Sequence, residues 1–171
     1  MQAALLKEIT EEQGCLIAML DSTLFQQPIR VQWLEPDIPL AYAERCAEAF
    51  NTLHPSLLRQ LCQYSYDYCI DFCDYVGETP PPIGQLEHIL HYIAPMSMEI
   101  TPFPTAYNAD NAEPVLHLEL ECEWEPEHGL EWLIRGDEIL YVGSCEMLPA
   151  WREQDYYRGY AGNYVFGNKI D

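Results

Sequence analysis

The feature that most constrains this chain is an alternation near its middle. From Val115 to Glu125 the sequence VLHLELECEWE places Leu116, Leu118, Leu120, Cys122 and Trp124 between His117, Glu119, Glu121, Glu123 and Glu125. A period of two over such a length describes a strand with one face in a core and the other facing water. Pro126 and Gly129 interrupt it, Leu130, Trp132 and Ile134 resume an apolar series, and Gly136-Asp137 separates these from Ile139, Leu140, Tyr141 and Val142. The pattern predicts a three-stranded antiparallel meander over 115–143 whose first strand carries a row of carboxylates on its wet side.

Upstream, Cys15–Leu20 and the alternating Ile29, Val31 and Trp33 predict two strands joined by a loop, with Pro36 and Pro39 ending the extended section. Leu40, Ala43, Ala47 and Phe50 then recur at helical spacing up to His54-Pro55. Ser56–Val76 is the longest helical stretch. Its two apolar stripes, one through Leu57, Leu61, Tyr64, Tyr68, Phe72 and Tyr75 and one through Leu58, Cys62, Cys69, Cys73 and Val76, predict a helix packed on two neighbours and stopped by Gly77 and ETPPP. A shorter helix is expected from about Gly84 to Tyr92, closed by Pro95, and extended chain over Met96–Phe103. The polar PTAYNADNAEP then reads as a long loop, a kind of segment that often carries function.

Together these elements predict an α+β fold: an antiparallel sheet built from an N-terminal hairpin and a C-terminal meander, with a central helical block packed on one face. A length of 171 residues with 49% hydrophobic content suits a single domain spanning 1–171. Twenty-eight acidic against eight basic residues give a net charge of -20, which opposes nucleic-acid phosphates and anionic membranes and favours a basic protein partner. Seven cysteines without a CxxC pair, behind an acidic N-terminal stretch that does not read as a signal peptide, predict reduced thiols in a cytoplasmic protein. No apolar run reaches the roughly 20 residues needed to cross a bilayer.

Cys62, Cys69 and Cys73 share a helix face at spacings that suit metal ligation, but the same face is the apolar stripe, so core packing is the reading adopted. His88 and His91 lie three apart without the general-base glutamate of an HExxH motif, and no metal or other cofactor is expected there. The carboxylate row admits three readings: a solvated sheet face, a docking surface for a basic protein, or a divalent-metal or glycosidase-like site assisted by His117 or His128. A regular exposed row lacks the pocket and the differentiated environments that enzyme sites require. Arg30 and Arg135 are candidates to pair with it internally.

The run Glu121, Cys122, Glu123, Trp124, Glu125, Pro126, Glu127, His128 and Gly129, followed by a strand and by ILYVG, resembles the signature of a family of uncharacterised bacterial domains over about 30 residues. In size and acidity such domains are similar to immunity proteins of polymorphic toxin systems, and the resemblance supplies no catalytic residues. It implies a non-enzymatic protein that binds and neutralises a cognate basic toxin domain. The expected contacts are Glu119, Glu121, Glu123 and Glu125 for steering, with Tyr156, Tyr157 and Tyr160 in the tail as anchors unless those rings simply seal the sheet edge. The alternative function is a small metal-dependent hydrolase using Glu and His from the meander.

Overall fold

The computed structural model describes residues 4–34 and 37–170. Within them, seven strands form one sheet in the order of the chain: β1 (Leu6–Glu12), β2 (Cys15–Asp21), β3 (Pro28–Leu34), β4 (Ile93–Glu99), β5 (Val115–Cys122), β6 (Leu130–Arg135) and β7 (Glu138–Gly143). The fold is α+β as expected, and the meander is β5–β6–β7, antiparallel throughout. Two features were not anticipated. The hairpin gains β1, which buries only Leu6 among its seven residues and therefore shows no alternation to read. The two halves of the sheet join through β3 and β4, which pair in parallel with Arg30 opposite Ser97 and Gln32 opposite Glu99. A long helical crossover separates these strands, and a connection of that kind permits a parallel neighbour.

The crossover carries α1 (Leu40–Asn51), α2 (Pro55–Val76) and a 3-10 segment, Leu86–Tyr92, where an ordinary helix was expected. Helix α1 buries Tyr42, Ala43, Cys46, Ala47 and Phe50. Helix α2 opens with Pro55 at its first position, His54 accepting from the Ser56 amide, and closes at Gly77 with φ 74°, a left-handed cap that glycine adopts without a Cβ clash. It buries Leu61, Cys62, Ser65, Tyr68, Cys69 and Cys73 and packs on β7 and on the 3-10 segment. The stripes do not run its full length, because Tyr75 and Val76 are exposed in the last turn. Ser65 is tolerated there because it accepts from Trp132 Nε1 at 2.9 Å.

Pro95 lies inside β4 rather than closing a helix. It sits where β4 pairs with β5 alone, ahead of the start of the β3 ladder at Ser97 and beside a bulge. A strand at a sheet edge loses nothing there by lacking an amide donor. Pro36 lies outside the described residues. The loop after β4 is tied down: Arg45 donates to the Ala109 carbonyl, Tyr42 Oη to that of Glu113 at 2.9 Å, and Ala112 is buried.

The sheet has a core on each side. The larger unites the helices with Val31, Trp33, Met98, Leu116, Leu118, Leu120, Trp132 and Val142. A smaller one gathers Val115, Leu133, Tyr141, Leu148, Ala150 and Tyr157. The segment after β7 supplies Leu148, Ala150 and, from α3 (Gln154–Arg158), Tyr157, so part of the face expected to be wet is dry. Among the described residues no helix is long and apolar enough to cross a membrane.

Candidate functional site: an acidic cleft

The carboxylate row is divided by the fold. Strand β5 ends at Cys122, and the chain turns over Glu123–Gly129 before β6. Gly129 makes that turn possible: its φ is 70°, and a Cβ would run into the Leu120 carbonyl. The turn returns Glu127 and His128 beside the end of β5. Together with β4 they enclose an open cleft of about 590 Å³, lined by His91, Glu119, Glu121, Glu123, Glu127 and His128 among others.

Three of the expected contacts, Glu119, Glu121 and Glu123, therefore share one cleft. Glu119 is half-buried and accepts from Ser97 Oγ at 3.3 Å, whereas Glu121 and Glu123 are exposed. Among the described residues no lysine or arginine lines the cleft. None of the ion pairs among the described residues reaches Glu119, Glu121, Glu123 or Glu127. Arg30 pairs with Glu12 at 3.3 Å and Arg135 with Glu113 and Glu138, so neither neutralises the row.

Glu125 is not part of that surface. Its side chain is buried and folds back on the turn, with Oε1 accepting from the Glu127 amide at 2.9 Å and Oε2 from the His128 amide at 3.0 Å and from His128 Nδ1, 2.9 Å away. Glu125, Glu127 and His128 are the one group among the described residues whose ligand atoms lie close enough together to hold a metal ion. Their geometry fits a turn lock better, since Glu125 already spends both oxygens on the turn. The rings of His88 and His91 stack at 5.2 Å.

His117, placed on the wet side by the alternation, is buried and faces Glu131. Glu131 was missed altogether. It stands between Leu130 and Trp132 as an apparently solvated residue, yet it is fully buried, and only the folding back of residues 144–150 makes it so. The sequence carries no local signal of that closure.

The tail tyrosines lie apart from the cleft. Tyr157 is fully buried in the smaller core, donates to the Pro149 carbonyl at 2.6 Å and accepts from the Arg152 amide at 3.1 Å. Tyr156 is exposed and Tyr160 half-buried, and both pack around Tyr157 and Tyr141. Next to them Asn163 pairs with the edge of β7, accepting from the Val142 amide and donating to the Leu140 carbonyl. The position of Tyr157 is that of an edge seal, and Tyr156 offers the most open ring of the three.

All seven cysteines are unbridged, and Cys62, Cys69 and Cys73 sit in the core. No curated protein and no solved structure matches this chain. A family match does exist, it spans the sheet, both long helices and the acidic cleft, and it stops ahead of the tail tyrosines. The chain belongs to the family described as Domain of unknown function (DUF6985), which it matches over residues 6–149.

Proposed function

We propose that this protein is a non-enzymatic binding protein that captures a basic protein partner in the cleft between β4, the end of β5 and the Glu123–Gly129 turn. The reading extends to an immunity protein that neutralises a cognate toxin domain. One observation carries it: Glu119, Glu121, Glu123 and Glu127 line a single open cleft that holds no lysine or arginine among the described residues. Like charges gathered at one site repel, and a cationic partner relieves that cost while its approach is accelerated by the field. The net charge of -20 extends the attraction beyond the cleft.

The likeness to immunity proteins rests on size and acidity alone. The test begins with whether a basic toxin-like protein is encoded next to this one; such a protein is purified and its association measured by stopped flow. Charge reversal at Glu119 and Glu123 to Lys should slow association by about tenfold at low salt and flatten its salt dependence, while dissociation changes little. Association unchanged by both substitutions would remove the cleft from the interface.

A further inference from the structure

Beside the acidic cleft lies a second cavity of about 250 Å³, and His128 lines both. Tyr68, Phe72, Tyr141, Tyr164, Glu125 and Glu146 are among the residues around it, and again no lysine or arginine among the described residues lines it. The hydroxyl groups around it are already committed elsewhere. Tyr68 Oη donates to the Gly129 carbonyl at 3.3 Å, Tyr141 Oη to the Ser144 carbonyl at 2.8 Å, and Tyr164 Oη to Asp71 at 2.6 Å. Ser144 Oγ turns to Glu146 at 3.0 Å.

Tyr68, Tyr141, Tyr164 and Glu125 are themselves buried, so the open lining these side chains offer is the half-buried Phe72 ring and the exposed Glu146 carboxylate. It is rich in acceptors and poor in donors. Such a lining suits a ligand that is cationic, carries donors and no acceptor, and has an apolar stem to lie against the ring. A lysine ammonium or an arginine guanidinium meets all these conditions. The size agrees, because the volume falls just below the roughly 300–1,000 Å³ of pockets for drug-sized molecules and suits a single long side chain.

We propose that this cavity receives one lysine or arginine side chain of the basic partner, its stem against Phe72 and its cationic head at Glu146. The inference rests on the reading of the cleft as a docking site for a basic protein. The cleft draws the partner in, and the neighbouring cavity holds one of its side chains, the division of labour between rim charge and buried anchor that protein interfaces use.

The cavity can be tested without the partner. The full chain, labelled with ¹⁵N, is titrated with N-acetylarginine methylamide, N-acetyllysine methylamide and, as the uncharged control, N-acetylnorleucine methylamide. The two basic probes should shift the amides of Ser144, Glu146 and Gly162 and saturate in the millimolar range, a weak affinity expected of a single side chain, while norleucine should bind at least about tenfold more weakly. Comparing the two basic probes identifies the preferred side chain. Glu146→Gln should weaken the better probe by about tenfold, and Phe72→Ala should do the same if its thermal transition shows that it folds. Equal binding of norleucine at these amides would overturn the proposal, as would basic probes that shift only the amides around Glu121 and Glu123. Failure here, with the reversals at Glu119 and Glu123 still slowing the partner's association, would remove the cavity and keep the cleft. Probe binding that survives alongside an association rate indifferent to those reversals would do the opposite.

Discussion

His117 Nε2 lies 2.9 Å from Glu131 Oε1, and both side chains are shut away from water. Glu131 also gathers three backbone amides: Leu148 at 3.0 Å on the same oxygen, and Glu146 at 2.8 Å and Met147 at 2.6 Å on the other. One carboxylate therefore clasps the segment after β7 to β6. It also accounts for the left-handed backbone at Met147, φ 53°, a conformation that a residue with a Cβ rarely adopts unless its surroundings impose it.

Removing the clasp should be costly. Glu131→Ala leaves three amides and a buried imidazole without their acceptor, and the loss should be about 3–5 kcal/mol by urea denaturation, the range for breaking a buried pair from one side. Hydrogen exchange at residues 146–148 should rise in the same variant. A loss below about 1 kcal/mol would mean that the loop is held by its apolar contacts with Leu148 and Ala150 instead.

The tail is expected to act as a seal at Tyr157 and Asn163. Asn163 is fully buried and donates to the carbonyls of Leu140 and Tyr157, both at 2.9 Å, while accepting from the amides of Val142 and Val165. Asn163→Ala should cost about 2–4 kcal/mol and Tyr157→Phe about 1–3 kcal/mol, read as melting temperatures and urea midpoints. If Tyr157→Phe instead left stability unchanged and speeded the release of a partner, its hydroxyl would belong to an interface.

Thiol reactivity should follow burial. Desolvation pushes the Cys46 thiol up to about 11 and those of Cys62, Cys69 and Cys122 up to about 12, and it raises Cys73 as well. Cys145 is only half-buried, yet burial and then the nearby Glu131 and Glu119 carry its thiol up to about 12. Cys15, half-buried on β2 and outside both cores, should be the first to react with Ellman's reagent in the native protein. Mass mapping of the early adduct checks this, and fast labelling at Cys62 or Cys69 would contradict the packing.

Stability should respond to pH through Glu99. Burial holds its carboxyl above the ordinary value, against the opposing pull of a hydrogen bond from Gln32 and of His117, while Glu119 adds to the rise. A carboxyl raised on folding keeps its proton longer in the folded state. Its penalty is thus absent below the unfolded value near 4, sets in as pH rises through that value, and is complete above the folded one. Glu99→Gln should accordingly raise the melting temperature at pH 7 and leave it nearly unchanged at pH 3. The same gain at both values would rule out ionisation as the cause.

Much of this molecule is local and could be read from the chain. Period-two alternation located β5, and Gly129 and the Gly136-Asp137 turn delimited the meander. Helical spacing with Pro55 and Gly77 bounded α2, because turn geometry and capping depend on neighbours a few residues away. Tertiary structure decided what alternation cannot encode, namely what covers each face. Strand β5 presents His117, Glu119 and Glu121 on one side with equal regularity, but the returning segment and its tail dry only the part around His117 and Glu131 and leave Glu119 and Glu121 in the cleft. Glu125 left the row because β5 ended three residues before it and the turn needed an acceptor. A side chain's direction is set by its own backbone, but its contact with water is set by chain that arrives from far along the sequence.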